Sequence, residues 1–138
     1  MSPGNTTTGA VLEAMIVPAL KRGGYTIHLQ QPAGTRCGGR PQKVDAIAVK
    51  DAAKILVSLK WQQVSGTAEQ KVPFEVMCLA DAIRSGRWQR AYLVLGGDKW
   101  TLRDYFTSGQ MAEHLVHAAL VRVVTLEVFI ATANRGQL

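Results

Sequence analysis

The stretch "KVDAIAVKDAAKILVSLKWQQ", residues 43–63, constrains the fold more than any other part of the chain. It holds two runs rich in aliphatic and β-branched residues, "KVDAIAVK" and "KILVSLKWQ", joined only by "DAA". That connection is too short for a crossover, so the runs predict an antiparallel hairpin. Side chains alternate along a strand. Ile55, Val57, Leu59 and Trp61 therefore make one apolar face that must meet a core, while Leu56, Ser58, Lys60 and Gln62 share the other. Asp45 is the only acid on the partner strand, and counting through a turn centred on residues 52 and 53 sets it opposite Lys60. A bulge shifts that register by a residue or two. An ammonium on a largely apolar strand needs a compensating negative charge. Two readings satisfy the pattern: an exposed cross-strand ion pair, which stabilises little, and half of a metal-dependent site.

The flanking segments fill in the order. "GAVLEAMIVPALKR", residues 9–22, places Val11, Leu12, Met15, Ile16, Ala19 and Leu20 at helical spacing. Thr6 to Thr8 offer N-caps, Gly23 and Gly24 a stop, and Pro18 a kink or early end. "YTIHLQQ" reads as a strand and "PAGTRCGGRPQ" as a loop. A helix is predicted over Thr67–Arg84, with Val72, Val76, Leu79, Ala80 and Ile83 as its apolar stripe; Pro73 argues for a start a few residues later. "RAYLVLGG" is a buried strand, residues 100–118 are helical or irregular, and "VRVVTLEVFIAT" is a last strand. The order α-β-β-β-α-β-α-β predicts an α/β fold, a mixed sheet with helices packed on it. The length of 138 residues fits one domain spanning residues 1–138, with no repeat or linker in view. No run approaches eighteen uninterrupted apolar residues, so no membrane span is expected, and "MSPGNTTTGAVLE" lacks the basic region of a signal peptide.

Sixteen Lys and Arg against ten Asp and Glu give a formal charge of +6, which favours a polyanionic partner. Cys37 and Cys78 have neither CxxC spacing nor ligand-like neighbours, so the chain reads as a cytoplasmic protein with reduced thiols. His28, His114 and His117 lack partners that would make them a catalytic or metal set. The glycine-rich "GTRCGG" lacks the GK[ST] ending of a phosphate-binding loop. Arg36, Arg40 and Lys43 line the approach to Asp45 and suit phosphate contacts. Trp61 is assigned to the core; Trp88 and Trp100 are core residues or base-stacking groups.

An acid on one strand, a short turn, a second strand bearing a lysine, and then a helix resembles the PD-(D/E)XK nuclease superfamily. Its α-β-β-β-α-β core matches the order read here over residues 9–97. In this chain the acid is Asp45, and the (D/E)XK triplet is Ser58, Leu59 and Lys60. Glu13 in "VLEAMI" matches an acid that many members use as a further metal ligand, and "QKVPF", Gln70 to Phe74, is similar to their QxxxY signature. Ser58 departs from the pattern, because serine is a poor metal ligand. Some restriction enzymes of the superfamily share the SxK triplet and take the missing acid from the following helix. Glu69 and Glu75 are the candidates, with Glu69 preferred as inward-facing at the helix start, and Gln62 offers an amide oxygen as a third.

The resemblance implies a Mg²⁺-dependent endodeoxyribonuclease, with Mn²⁺ substituting. Asp45, Glu13, the Leu59 carbonyl and Glu69 would hold the metal, and Lys60 would orient water and offset transition-state charge. Little chain remains for a separate recognition domain, so a structure-selective Holliday junction resolvase, acting as a homodimer or higher oligomer, is the first expectation. A homing or restriction-type endonuclease and a DNA-binding module that has lost its chemistry are the alternatives.

Overall fold

The computed structural model describes residues 3–36, 38–63 and 68–138. Its elements run α1 (Pro3–Val11), a π-helical turn (Leu12–Ile16), α2 (Val17–Arg22), β1 (Thr26–Thr35), β2 (Pro41–Lys50), β3 (Ala53–Trp61), α3 (Ala68–Arg84), β4 (Arg90–Gly96), α4 (Arg103–Thr107), two 3₁₀ turns, β5 (Val121–Thr125) and α5 (Leu126–Asn134). The strands form one mixed sheet in the order β1-β2-β3-β4-β5. β1–β2 and β2–β3 are antiparallel, β3–β4 and β4–β5 parallel, so the α-β-β-β-α-β order holds.

Helices cover both faces, and the alternation in β3 sorts the core into two layers. Leu56 points to one, with Val72, Val76 and Leu79 of α3 and Leu93 of β4. Ile55, Val57 and Leu59 point to the other, with Leu12, Ile16 and Leu20 of the first helices and Phe129 of α5. β3 and β4 are thus buried on both sides, as parallel strands in such sheets are. Each fully buried Leu, Ile or Val here contributes about 1.5–3 kcal/mol of burial free energy.

Five local readings are corrected. Thr6 to Thr8 lie inside α1 rather than ahead of it, because the helix already begins at Pro3, a residue whose fixed φ suits a first turn. Pro18 neither ends nor breaks the helix: the Val17 N–H reaches back to the Leu12 carbonyl, a π-type bond that absorbs the donor Pro18 lacks. β1 runs on to Thr35 and β2 starts at Pro41, leaving a loop of only residues 36–40; Pro32 is tolerated because β1 is an edge strand, with a register shift between Pro32 and Thr35. The last strand stops at Thr125, whose hydroxyl accepts from the Val128 N–H at 3.3 Å and caps α5. Pro73 lies inside α3, beyond its first turn, so the helix does not start later to accommodate it, while Thr67, the expected helix start, and Cys37 fall outside the described residues.

The hairpin register also differs. Asp51 and Ala52 both have positive φ, 51° and 69°, which makes the connection a two-residue turn of the kind that matches strand twist. Ala46 therefore pairs with Val57, and continuing that register sets Asp45 opposite Ser58 rather than Lys60. Beyond the Ala46–Val57 pair the β2–β3 ladder stops, while β3 continues against β4 as far as Trp61. The two strands part at Asp45.

Candidate active site

The parting of β2 from β3 frees backbone groups that a ladder would have used. In a hairpin closed by Lys50 and Ala53, alternate residues of β3 aim their N–H and C=O toward β2, and Leu59 is one of these. Its N–H donates instead to Oδ2 of Asp45 at 2.6 Å. The same alternation sends the Leu59 carbonyl into the gap. A carboxylate thus replaces a strand, at a place where the sheet has opened.

Lys60 and Glu75 complete the cluster. Lys60 Nζ lies 3.7 Å from Oε1 of Glu75, with side chains 29% and 14% exposed, so the pair is largely withdrawn from water. Gln42, itself buried, donates from Nε2 to Oε2 of Glu75 at 3.2 Å. Gln30 hydrogen-bonds the Asp45 carboxylate from the other side strand. Its φ of 53° is a left-handed conformation that costs a non-glycine residue energy, and such residues gather where side-chain placement matters. Two acids and a lysine therefore converge, each acid steadied by one glutamine of the β1–β2 hairpin.

Burial raises the Asp45 carboxyl above its ordinary value. The Leu59 N–H and the Lys60 ammonium oppose that, the charge of Glu75 adds to it, and Gln30 opposes it. A carboxyl whose folded pKa is raised favours folding below its unfolded pKa, and that contribution is lost as pH rises through the folded value. At neutral pH, ionised Asp45 is a cost in the metal-free protein. Asp45→Asn should therefore melt at a higher temperature than the parent in a chelator at pH 7, with the difference shrinking as pH falls toward 4. A lower or unchanged melting temperature at pH 7 would contradict this account.

The remaining sequence candidates lie as follows. Ser58 is buried beside Asp45 in the register and supplies no carboxylate. Glu69 accepts at Oε1 from the Thr101 hydroxyl and at Oε2 from the Leu102 N–H, both at 2.6 Å. Burial works to raise its pKa, but those bonds, with one from Gln62, together lower it. Gln62 is equally occupied, giving Nε2 to the Lys99 carbonyl at 2.8 Å and receiving the Glu69 N–H at 3.3 Å. Glu69 and Gln62 thus tie the start of α3 to the segment after β4. That segment turns at Gly97, whose φ is 91° and where a Cβ would stand 2.2 Å from the Gln62 carbonyl oxygen. Glu13 is exposed on the π turn, in the helical layer packed against the opposite sheet face. Gln70 is exposed on α3; Arg36, partly exposed, and the exposed Arg40 and Lys43 lie on the β1–β2 tip.

Of the aromatic and histidine candidates, Trp88 and Trp100 pack against the core and donate their indole N–H groups to the Ala33 and Gly96 carbonyls. Trp61 is half-buried against the other layer. Tyr105 meets His114 at 2.7 Å, and His28 is exposed on β1. Sequence reasoning missed Gln42 and Gln30. The only signal was a glutamine on each arm of the β1–β2 hairpin, too common to single out.

Among the described residues there is no group of three or more His, Cys, Asp or Glu side chains placed to hold a metal. Asp45 and Glu75 nevertheless form a hard-oxygen pair of the kind Mg²⁺ accepts, since that ion takes one or two carboxylates and completes its shell with water and phosphate. The donor set fits a divalent cation of this class. No helix among the described residues is long and apolar enough to cross a membrane.

The family model for a PD-(D/E)XK nuclease superfamily domain matches residues 4–137. No curated protein matches the chain in sequence. Among solved structures, the chain is similar to a protein of unknown function, AF1548, at 8% identity and a TM-score of 0.47, over 80% of this chain and 54% of that one.

Proposed function

Since this chain belongs to the PD-(D/E)XK nuclease superfamily, we propose that it is a Mg²⁺-dependent endonuclease hydrolysing phosphodiester bonds of DNA. The observation that carries this reading is the convergence of Asp45, Glu75 and Lys60 where β2 parts from β3. Asp45, Glu75 and the Leu59 carbonyl would hold the metal, with Glu75 taking the role that Ser58 cannot fill. A bound divalent cation supplies Lewis acidity toward a phosphoryl oxygen and lowers the pKa of a coordinated water. Lys60 contributes a fixed positive charge beside the same carboxylates, where it orients the attacking water and offsets charge developing on the phosphate. Gln42 and Gln30 hold the acids, so little reorganisation is needed when substrate arrives. Glu13 and Glu69 are left with accessory or structural parts.

Within that class, a structure-selective enzyme such as a Holliday junction resolvase, working as a homodimer, suits the +6 charge. A second reading, a DNA-binding module that has lost its chemistry, draws on Ser58 at the carboxylate position. Incubating plasmid, four-way junction and single-stranded DNA with Mg²⁺, with Mn²⁺ and with a chelator separates the two. Metal-dependent products support the enzyme; binding without cleavage under every condition supports the module. Binding should also weaken steeply with salt, each phosphate contact adding about −0.9 to the slope of log K against log salt on duplex DNA. A slope near zero would remove DNA as the partner.

A further inference from the structure

Phe74 stands one residue before Glu75 on α3 and is 43% exposed. Gln70 and Lys71, both exposed, lie one helical turn earlier on the same flank, so they are its surface neighbours. The guanidinium of Arg36 sits over the Phe74 ring, 5.7 Å from its centroid. Arg36 belongs to the β1–β2 tip, where its N–H donates to the Arg40 carbonyl at 2.8 Å, and Lys43 follows on β2 opposite Pro32. A single exposed aromatic residue is unremarkable in itself. This one is flanked by cations from two elements and adjoins an acid of the proposed site. Glu75, through Gln42, faces the same hairpin that carries Arg36.

We propose that Phe74 and Arg36 form a stacking platform for an unpaired nucleobase next to the scissile phosphate, which Lys60 and a cation on Asp45 and Glu75 would hold. The substrate class is DNA with unpaired nucleotides at or beside the scissile bond, such as a flap or fork, rather than continuous duplex. This rests on the nuclease reading and narrows its substrate. In duplex DNA the faces of a base are covered by its neighbours, so a side-chain ring finds no π surface. An unpaired base presents that surface to Phe74 or to the planar guanidinium, and any base can do so, which makes the contact indifferent to sequence. Lys71, one turn earlier on α3, and the exposed Arg40 and Lys43 of the β1–β2 tip add the positive charge that adjoining phosphates require.

The test is equilibrium binding by the Asp45→Asn protein, expected to hold DNA without cutting it, to three DNAs: a duplex, the same duplex with a short single-stranded flap, and that flap with abasic sites. The flap should bind more tightly than the duplex, and removing its bases should weaken binding by about 5- to 100-fold. Adding Phe74→Leu should give a similar loss on the intact flap and almost none on the abasic one, while Phe74→Trp keeps the preference. Equal affinity for intact and abasic flaps overturns the platform, as does a Phe74→Leu effect of equal size on all three DNAs. The abasic comparison needs no change at Phe74, so it decides the question even if Phe74→Leu folds poorly. Parent protein that cuts DNA yet ignores abasic sites overturns the platform alone. Parent protein that distinguishes abasic flaps yet cuts nothing with any divalent metal overturns the catalytic reading alone.

Discussion

Lys60→Ala and Asp45→Asn are each expected to lower DNA cleavage by at least about 100-fold, the usual cost of removing one preorganised charge from a reacting site, while DNA binding persists. Neither change removes buried apolar volume from either core layer. Lys60 sits at the open end of β3, where it makes an ion pair with Glu75, and Asn at 45 keeps an oxygen for the Leu59 N–H. Both variants should therefore show the parent's circular dichroism. Cleavage rates on a plasmid in Mg²⁺, with binding measured separately, check the result. Full activity in either folded variant would sink the site assignment.

Glu75→Gln and Glu69→Gln should separate chemistry from architecture. Glu75→Gln removes a charge beside Asp45 and Lys60, so cleavage should fall by about 100-fold or more, and loss of its ion pair with the part-buried Lys60 should lower stability as well. Glu69→Gln leaves those three groups in place and weakens two bonds to Thr101 and Leu102, so cleavage should survive while stability drops by about 1 kcal/mol. The pH dependence carries a sign. The Glu69 carboxyl is lowered in the folded protein, so its contribution is present above the unfolded pKa and is lost as pH falls through the folded value. The melting-temperature gap between parent and Glu69→Gln should therefore be widest near neutrality and close in acid. Loss of cleavage in folded Glu69→Gln, with Glu75→Gln active, would move the acid back to the start of α3.

The sequence made these two glutamates hard to rank. Helical spacing from Val76 puts Glu69 on the flank of α3 that Val72 and Val76 share. What the spacing cannot carry is the segment after β4, which folds back so that Thr101 and Leu102 meet the Glu69 carboxylate. Gln62 is held in the same way, by a Lys99 carbonyl remote in sequence. The alternation of β3, by contrast, was legible because it depends only on period two and on the contrast between Ile55, Val57 and Leu59 and the polar Ser58 and Lys60. The strand-to-helix change at Thr125 was hidden because "LEVFIAT" suits either state. Tertiary burial of Leu126, Phe129 and Ala133 decides it. The register slip came from a turn in which Asp51 and Ala52 adopt φ values more typical of Asn and Gly.

The bond from the Leu59 N–H to Asp45 has a spectroscopic consequence. In an ordinary ladder that amide would report only on strand pairing. Here its acceptor is the Asp45 carboxylate, so one backbone resonance registers protonation of Asp45 and, under the proposed function, would register the arrival of a cation. Because Leu59 lies inside the sheet and α3 covers the other face, its proton exchanges with solvent chiefly when the gap between β2 and β3 widens. A single labelled leucine nitrogen thus reads the charge state of the site through its chemical shift, and the opening of the site through its exchange rate.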